Sequence, residues 1–354
     1  MNCELLCQDA TDLLVKLIET PRTSRNEAQA ADMLEDVMRN KYGMDVQRDG
    51  NNLWCIAGDY TEGRQTLLLN AHIDTVKPCD SWTRDPYTAT IEDDRIYGLG
   101  SNDDGASLVT LLQVFRFLSV KERAYNLIFL ASCEEEVSGK AGIEHALTKL
   151  PHIDAALVGE PTGMQPAIAE KGLMVLDFTA HGRSGHAARD EGDNAIYHAL
   201  DDINWLRNCS LPKVSPMLGP VKMSVTIINA GTQHNVVPET CMFTADIRSN
   251  ELYTNTEILE YIESNVKSEV KARSTRLMSS MIYESHPMVQ RAIQMGLKPF
   301  GSPTLSDQAL LRCPSMKMGP GQSCRSHTAD EFVCFSEIRH ALDTYIQLLD
   351  GLAL

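Results

Sequence analysis

The chain has 354 residues, of which 43% are apolar. That is enough to bury a sizeable core and to form two domains. Its net charge of −16 and pI near 5.0 exclude nucleic acid and anionic membranes as expected partners, because both recruit basic surfaces. No apolar run reaches membrane-spanning length, and Met1-Asn2-Cys3-Glu4-Leu5-Leu6 lacks the basic and apolar parts of a signal peptide. Ten cysteines occur without C-x-x-C spacing, so reduced thiols in a cytoplasm are expected rather than a zinc ribbon or a disulfide framework.

Apolar residues recur at helical spacing from Leu5 to Leu17, and Pro21 stops that helix. Ser24 and Glu27 have the spacing of a capping box for a second helix running to Met38. Strands are then expected at Leu67–Ile73, Asn126–Ala131 and Ala155–Val158, alternating with helices at Ala106–Leu118 and Gly142–Leu150. Short apolar strands alternating with helices predict an α/β sheet covered on both faces, with chemistry beyond the carboxyl ends of the strands. Near Ala169 the pattern changes. Leu173–Ala180 alternates apolar and polar residues, followed by a helix at Asn194–Leu206, strands at Met223–Ile228 and Cys241–Ile247, and a helix at Asn255–Val266. This β-α-β-β-α run predicts a separate α+β domain at 170–284, inserted into a discontinuous first domain at 1–169 and 285–354. The first pattern resumes with a helix at Val289–Met295, a strand at Met316–Gly319 and a long helix from Ser336.

The strand at Leu67–Ile73 delivers His72 and Asp74, which point to one face of the strand. The pair suits a metal-ligating imidazole whose other N–H is taken by a carboxylate, or simply a strand-end histidine beside a solvated aspartate. Asp103-Asp104 opens a helix after Gly98-Leu99-Gly100-Ser101-Asn102, a place for N-capping or for a carboxylate bridging two metals. Glu134-Glu135-Glu136 follows an apolar strand, where one glutamate can ligate metal and its neighbour can act as general base. Glu160 follows a third strand, and His327 lies in a small polar loop ending in Asp330-Glu331.

Together these motifs resemble the M20 metallopeptidase and amidohydrolase family over essentially the whole chain, and within it the acetylornithine deacetylase-like proteins of the Bacteroidetes type. The resemblance implies a zinc-exopeptidase-like catalytic domain with a mixed, mostly parallel sheet, and an inserted ferredoxin-like lid and dimerisation domain. It implies two Zn²⁺, with Co²⁺ or Mn²⁺ as substitutes. His72, Asp103 and Glu160 match the ligands of one ion, and Asp103, Glu136 and His327 those of the other. Glu135 matches the general acid/base, Asp74 the partner of the ligating histidine, and the Asp103–Asp104 peptide is expected to be cis. Glu135 and Glu136 are chosen within the triple glutamate because Glu134 fits the acidic residue that usually precedes the pair. Leu99, where many relatives have arginine or alanine, and Asp104-Gly105-Ala106, where many have a lysine, depart from the common pattern without removing a ligand.

In the inserted domain, His186 matches the histidine that reaches the active site of the opposite subunit to hold an oxyanion. Asn235 and Arg248 match substrate positions, the arginine suiting an α-carboxylate or an end-of-strand salt bridge. Thr304, Ser306 and Lys171 are further candidates for substrate contact. The implied reaction is hydrolysis of the amide of an N-acyl amino acid by a homodimer, with N-acetylornithine or N-acetyl- or N-succinyl-citrulline in arginine biosynthesis as first candidates. A dipeptidase or general aminoacylase is the enzymatic alternative. A non-catalytic binding protein of the same fold should have lost a ligand or the base, and here every position is filled.

Overall fold

The computed structural model describes residues 2–354 and divides into two compact units. The first comprises Met1–Ile168, Met281–Phe300 and Ser306–Leu354; the second comprises Ala169–Ser280 and Gly301–Leu305. Thr304 therefore belongs to the second unit and Ser306 to the first.

The first unit is built on a mixed sheet whose centre is parallel. Strand Thr66–His72 lies between Asn126–Ser132 and Ala155–Val158, parallel to both, and Ser315–Lys317 extends the parallel set. Strand Asn52–Ile56 pairs antiparallel with Asn126–Ser132. Strands Thr66–His72 and Asn126–Ser132 are buried along their whole length, which accounts for continuous apolar runs instead of alternation. Helices Cys3–Ile18, Ala106–Ser119 and Phe335–Leu349 pack on one another, with Ala106–Ser119 also against the central strands.

Two local expectations are corrected. The second helix starts at Ala28 with Glu27 as a cap residue that makes no side-chain cap bond, and Ser24 does not take part. Both side chains are drawn to other partners: the Ser24 hydroxyl to Asp74, and the Glu27 carboxylate to the Arg25 amide 2.7 Å away. The helix expected at Gly142–Leu150 is regular only over Ile143–Ala146. Beyond it, Thr148 and Lys149 donate to carbonyls three residues back, so the chain tightens into 3₁₀-type turns before Pro151.

The second unit is a four-stranded antiparallel sheet in the order Lys222–Ala230, Thr240–Arg248, Met174–His181, Glu269–Ala272. With helices Ala195–Asn208 and Asn255–Glu263, this is the β-α-β-β-α-β order of a ferredoxin-like unit. The last strand, Glu269–Ala272, is a polar edge that the hydrophobic pattern did not reveal. Alternating burial along Met174–His181 places Met174, Leu176, Phe178 and Ala180 inward, and Phe178 stacks on Phe243 at 4.5 Å. Asn194 caps one helix through the Ile196 amide, and Thr254 with Glu257 forms a complete capping box on the other.

Candidate metal centre

Five side chains of the first unit converge beyond the carboxyl ends of its parallel strands, where open α/β sheets place ligands. His72 Nε2 lies 3.2 Å from Asp103 Oδ1 and 3.9 Å from Glu160 Oε1. His327 Nε2 lies 3.0 Å from Glu136 Oε2 and 3.7 Å from Asp103 Oδ2. The donor atoms of His72, Asp103 and Glu160 fall within 4.8 Å of one another, as do those of Asp103, Glu136 and His327. Asp103 is common to both sets and offers one oxygen to each. The peptide joining it to Asp104 is cis, as the resemblance implied.

The triple glutamate is tolerated at a strand end because buried carboxylates grip its backbone. Glu134 N donates to Glu27 Oε1 at 3.2 Å, Glu135 N to Asp74 Oδ1 at 3.0 Å and Glu136 N to Asp74 Oδ2 at 3.2 Å. The Ser24 hydroxyl also donates to Asp74 Oδ2, at 2.6 Å. Asp74 meets His72 through both its carbonyl and its carboxylate. His72 Nδ1 sits 2.9 Å from the main-chain carbonyl of Asp74 and 3.6 Å from its carboxylate. The carbonyl fixes the imidazole tautomer, and the carboxylate fixes the glutamate turn.

Other positioning groups carried no periodic or spacing signal. Glu331, buried just before strand Phe332–Cys334, accepts from the amides of Gly100, Asn102 and Asp103 at 2.8–2.9 Å. Arg22 is also buried. It donates to Leu17 O at 3.2 Å, to Gly100 O at 2.9 Å and to Ile73 O, tying the strand end to the Asp103 loop. Asp307 accepts from the Ser132 hydroxyl at 2.6 Å. Glu331 was visible as an acid after His327; Arg22 and Asp307 look like ordinary polar residues until the fold is known.

The electrostatics test whether this donor set suits cations. Burial pushes Asp104 and Glu331 up to about 8 and Asp307 up to about 6. Glu160 and Glu135 are raised well above the carboxylate range, first by burial, with Asp103 adding to it at Glu160 and Glu160 adding to it at Glu135. His327 is raised to about 9, first by its bond to Glu136; burial opposes a proton on His72, yet Asp103 and Asp74 hold it well above its usual value. Asp103 is pushed up by burial but pulled lower overall by His72. Burial is the first cause for the raised acids, and close carboxylates add to it, so the site carries an excess of negative charge. Both Asp104 carboxylate oxygens are buried. Two divalent cations would neutralise this excess, and the mixed imidazole and carboxylate donors suit zinc-type ions.

The remaining candidates, Ser306 apart, belong to the second unit. In the second unit, His186 is exposed on a short strand paired with Val236–Val237, and its Nδ1 accepts from the Ala188 amide at 3.1 Å. The Asn235 carbonyl accepts from Ala187 N at 3.0 Å. Arg248 makes a two-pronged ion pair with Asp246, at 2.8 and 3.2 Å. Lys171 donates to Pro220 O at 2.8 Å, and Thr304 Oγ1 lies 2.9 Å from Ser302 Oγ. In the first unit, Ser306 is buried and caps the turn Asp307–Leu310 through the Gln308 amide.

Two three-donor sets sharing one carboxylate, set beyond a parallel-centred sheet, define a metal-dependent hydrolase. The chain belongs to peptidase family M20/M25/M40, whose profile matches residues 68–351. It is 26% identical over 378 residues to an acetylornithine deacetylase of Proteus mirabilis, covering 97% of this chain and 96% of that one. It is likewise 26% identical over 385 residues to a succinyl-diaminopimelate desuccinylase of Parvibaculum lavamentivorans, covering 97% and 95%. The fold is shared with a Bacillus subtilis protein described as a dinuclear metal binding peptidase from the M20 family, with a TM-score of 0.70, 14% identity and 98% of each chain covered.

Proposed function

We propose that this chain is a two-zinc amidohydrolase that cleaves the amide between an acyl group and the α-nitrogen of an amino acid. N-acetylornithine and the N-acetyl or N-succinyl forms of citrulline are the first candidates, which would place it in arginine biosynthesis. The ten unpaired cysteines agree with a reducing, cytoplasmic setting. The observation that carries the reading is Asp103, which contributes one oxygen to each of two three-donor sets, while Glu135, a member of neither, is close enough to feel the charges of His72, Glu160 and Glu136.

His72, Asp103 and Glu160 would hold one ion, and Asp103, Glu136 and His327 the other. Ions bound there supply positive charge that polarises a carbonyl and makes water more acidic. Glu135 accepts the proton of the attacking water, and the same carboxyl then delivers it to the departing amine. Burial suits it to both tasks by favouring the protonated form between them. His186, exposed on its strand, donates to the developing oxyanion in the active site of a second copy. Arg248 has five N–H donors, and those not engaged by Asp246 would receive the substrate α-carboxylate. Asn235, Lys171, Thr304 and Ser306 are the further candidates for contact with the acyl and amino-acid groups.

The reading is tested by ranking kcat/KM over N-acetyl- and N-succinyl-ornithine, the matching citrullines and a few dipeptides. One of the acyl amino acids should lead the dipeptides by about 10-fold or more. Dipeptides in the lead would move the assignment to a peptidase. Exchange of His186 between subunits has its own signature. A His186→Ala chain and a Glu135→Ala chain are each expected to be inactive alone. Mixed, they should recover roughly a quarter of wild-type activity per chain, the statistical yield of one competent site in each mixed two-fold dimer. No recovery on mixing would mean that each chain uses its own histidine.

A further inference from the structure

The bridging aspartate and His327 come from loops far apart in sequence, and one side chain ties the two loops together. Asn102, fully buried and adjacent to Asp103, grips both main-chain groups of Gln322: its Oδ1 accepts from Gln322 N at 2.9 Å and its Nδ2 donates to Gln322 O at 3.1 Å. The same Nδ2 reaches Ser326 Oγ at 3.3 Å, one residue before His327. The fit is close. Gly321 has φ +79°, and a Cβ built on it would come within 2.2 Å of Asn102 Oδ1. From the other side, Glu331 accepts from the amides of Asn102 and Asp103. His327 itself holds φ +60°, a conformation that non-glycine residues rarely adopt and that the flanking contacts must maintain. By contrast, His72 ends one buried parallel strand and Glu160 follows another, so ladder pairing supports both.

We propose that Asn102 is a positioning residue that sets His327 against Asp103, and so governs the affinity of the Asp103–Glu136–His327 set for its ion selectively over the His72–Asp103–Glu160 set. The inference rests on the two-metal reading above. Removing the amide frees the Gln322–His327 segment to drift from Asp103 while leaving the strand-borne donors in place. An outer partner of this kind typically tunes metal affinity by about 10- to 100-fold.

The test is calorimetric titration of zinc into metal-stripped protein, with circular dichroism to confirm folding. The wild-type chain should take up two ions. Asn102→Ala should bind the first ion with unchanged affinity and the second about 10-fold or more weakly. Gly321→Ala, whose added methyl would collide with Asn102 Oδ1, should weaken the same ion, and it carries the test if Asn102→Ala does not fold. Equal weakening of both ions, or of neither, would overturn the proposal. A wild-type chain that binds no zinc would instead overturn the two-metal reading.

Discussion

Replacing Glu135 with alanine is expected to leave a folded protein that still binds two metal ions per chain but turns over about 10²- to 10⁴-fold more slowly, the usual contribution of a general acid/base. The expectation follows from geometry. Glu135 belongs to neither donor set, so its removal costs no ligand. Its placement depends on main-chain bonds, with its amide on Asp74 Oδ1 and its neighbour's amide on Asp74 Oδ2. The substitution keeps both and should not move Glu136. It also removes one half-buried carboxylate from a crowded group, so metal-free stability should not fall on electrostatic grounds. Metal content by mass spectrometry beside kcat separates the roles. Near-native kcat would remove Glu135 as the proton carrier, and loss of one metal would make it a ligand.

Three of the donors were legible because each stands at or just beyond the end of a strand with a strong pattern. His72, Glu136 and Glu160 all follow short apolar runs, and the ferredoxin-like unit announced itself where strict alternation began at Leu173. What supports the donors was much less legible. Ser24 and Glu27 have the spacing of a helix cap, and local pattern reading favoured that use; tertiary partners won instead, one at Asp74 and one at the Glu134 amide. Asn102, Arg22 and Glu331 bond mainly to backbone groups remote in sequence, and such contacts impose no periodicity. Asp74 was read as the histidine's carboxylate partner because i and i+2 share a face. The main-chain carbonyl of that same residue sits closer to the ring. Arg248 offered two readings, and the one visible within its own unit is the ion pair with Asp246.

Asp103→Ala should be the most damaging single change, because it is the only donor common to both sets. His327→Ala or Glu160→Ala removes one donor of three from a single set and should weaken mainly one ion. Asp103→Ala leaves each set with an imidazole and one glutamate, so both ions should bind more than about 100-fold more weakly, beyond the range seen when only a supporting partner is lost. Activity should then fall below detection at ordinary zinc concentrations. The backbone around the vacancy has its own anchors, since Glu331 holds the amides of Gly100, Asn102 and residue 103 whatever side chain stands there. The loop should therefore persist, and the variant's loss should appear in binding. Zinc normally stabilises the fold in proportion to the logarithm of its free concentration over its dissociation constant. The rise in melting temperature on adding zinc should accordingly disappear in Asp103→Ala and only shrink in His327→Ala. If Asp103→Ala still takes up two zinc ions per chain in equilibrium dialysis, its carboxylate does not bridge them and the two sets are independent.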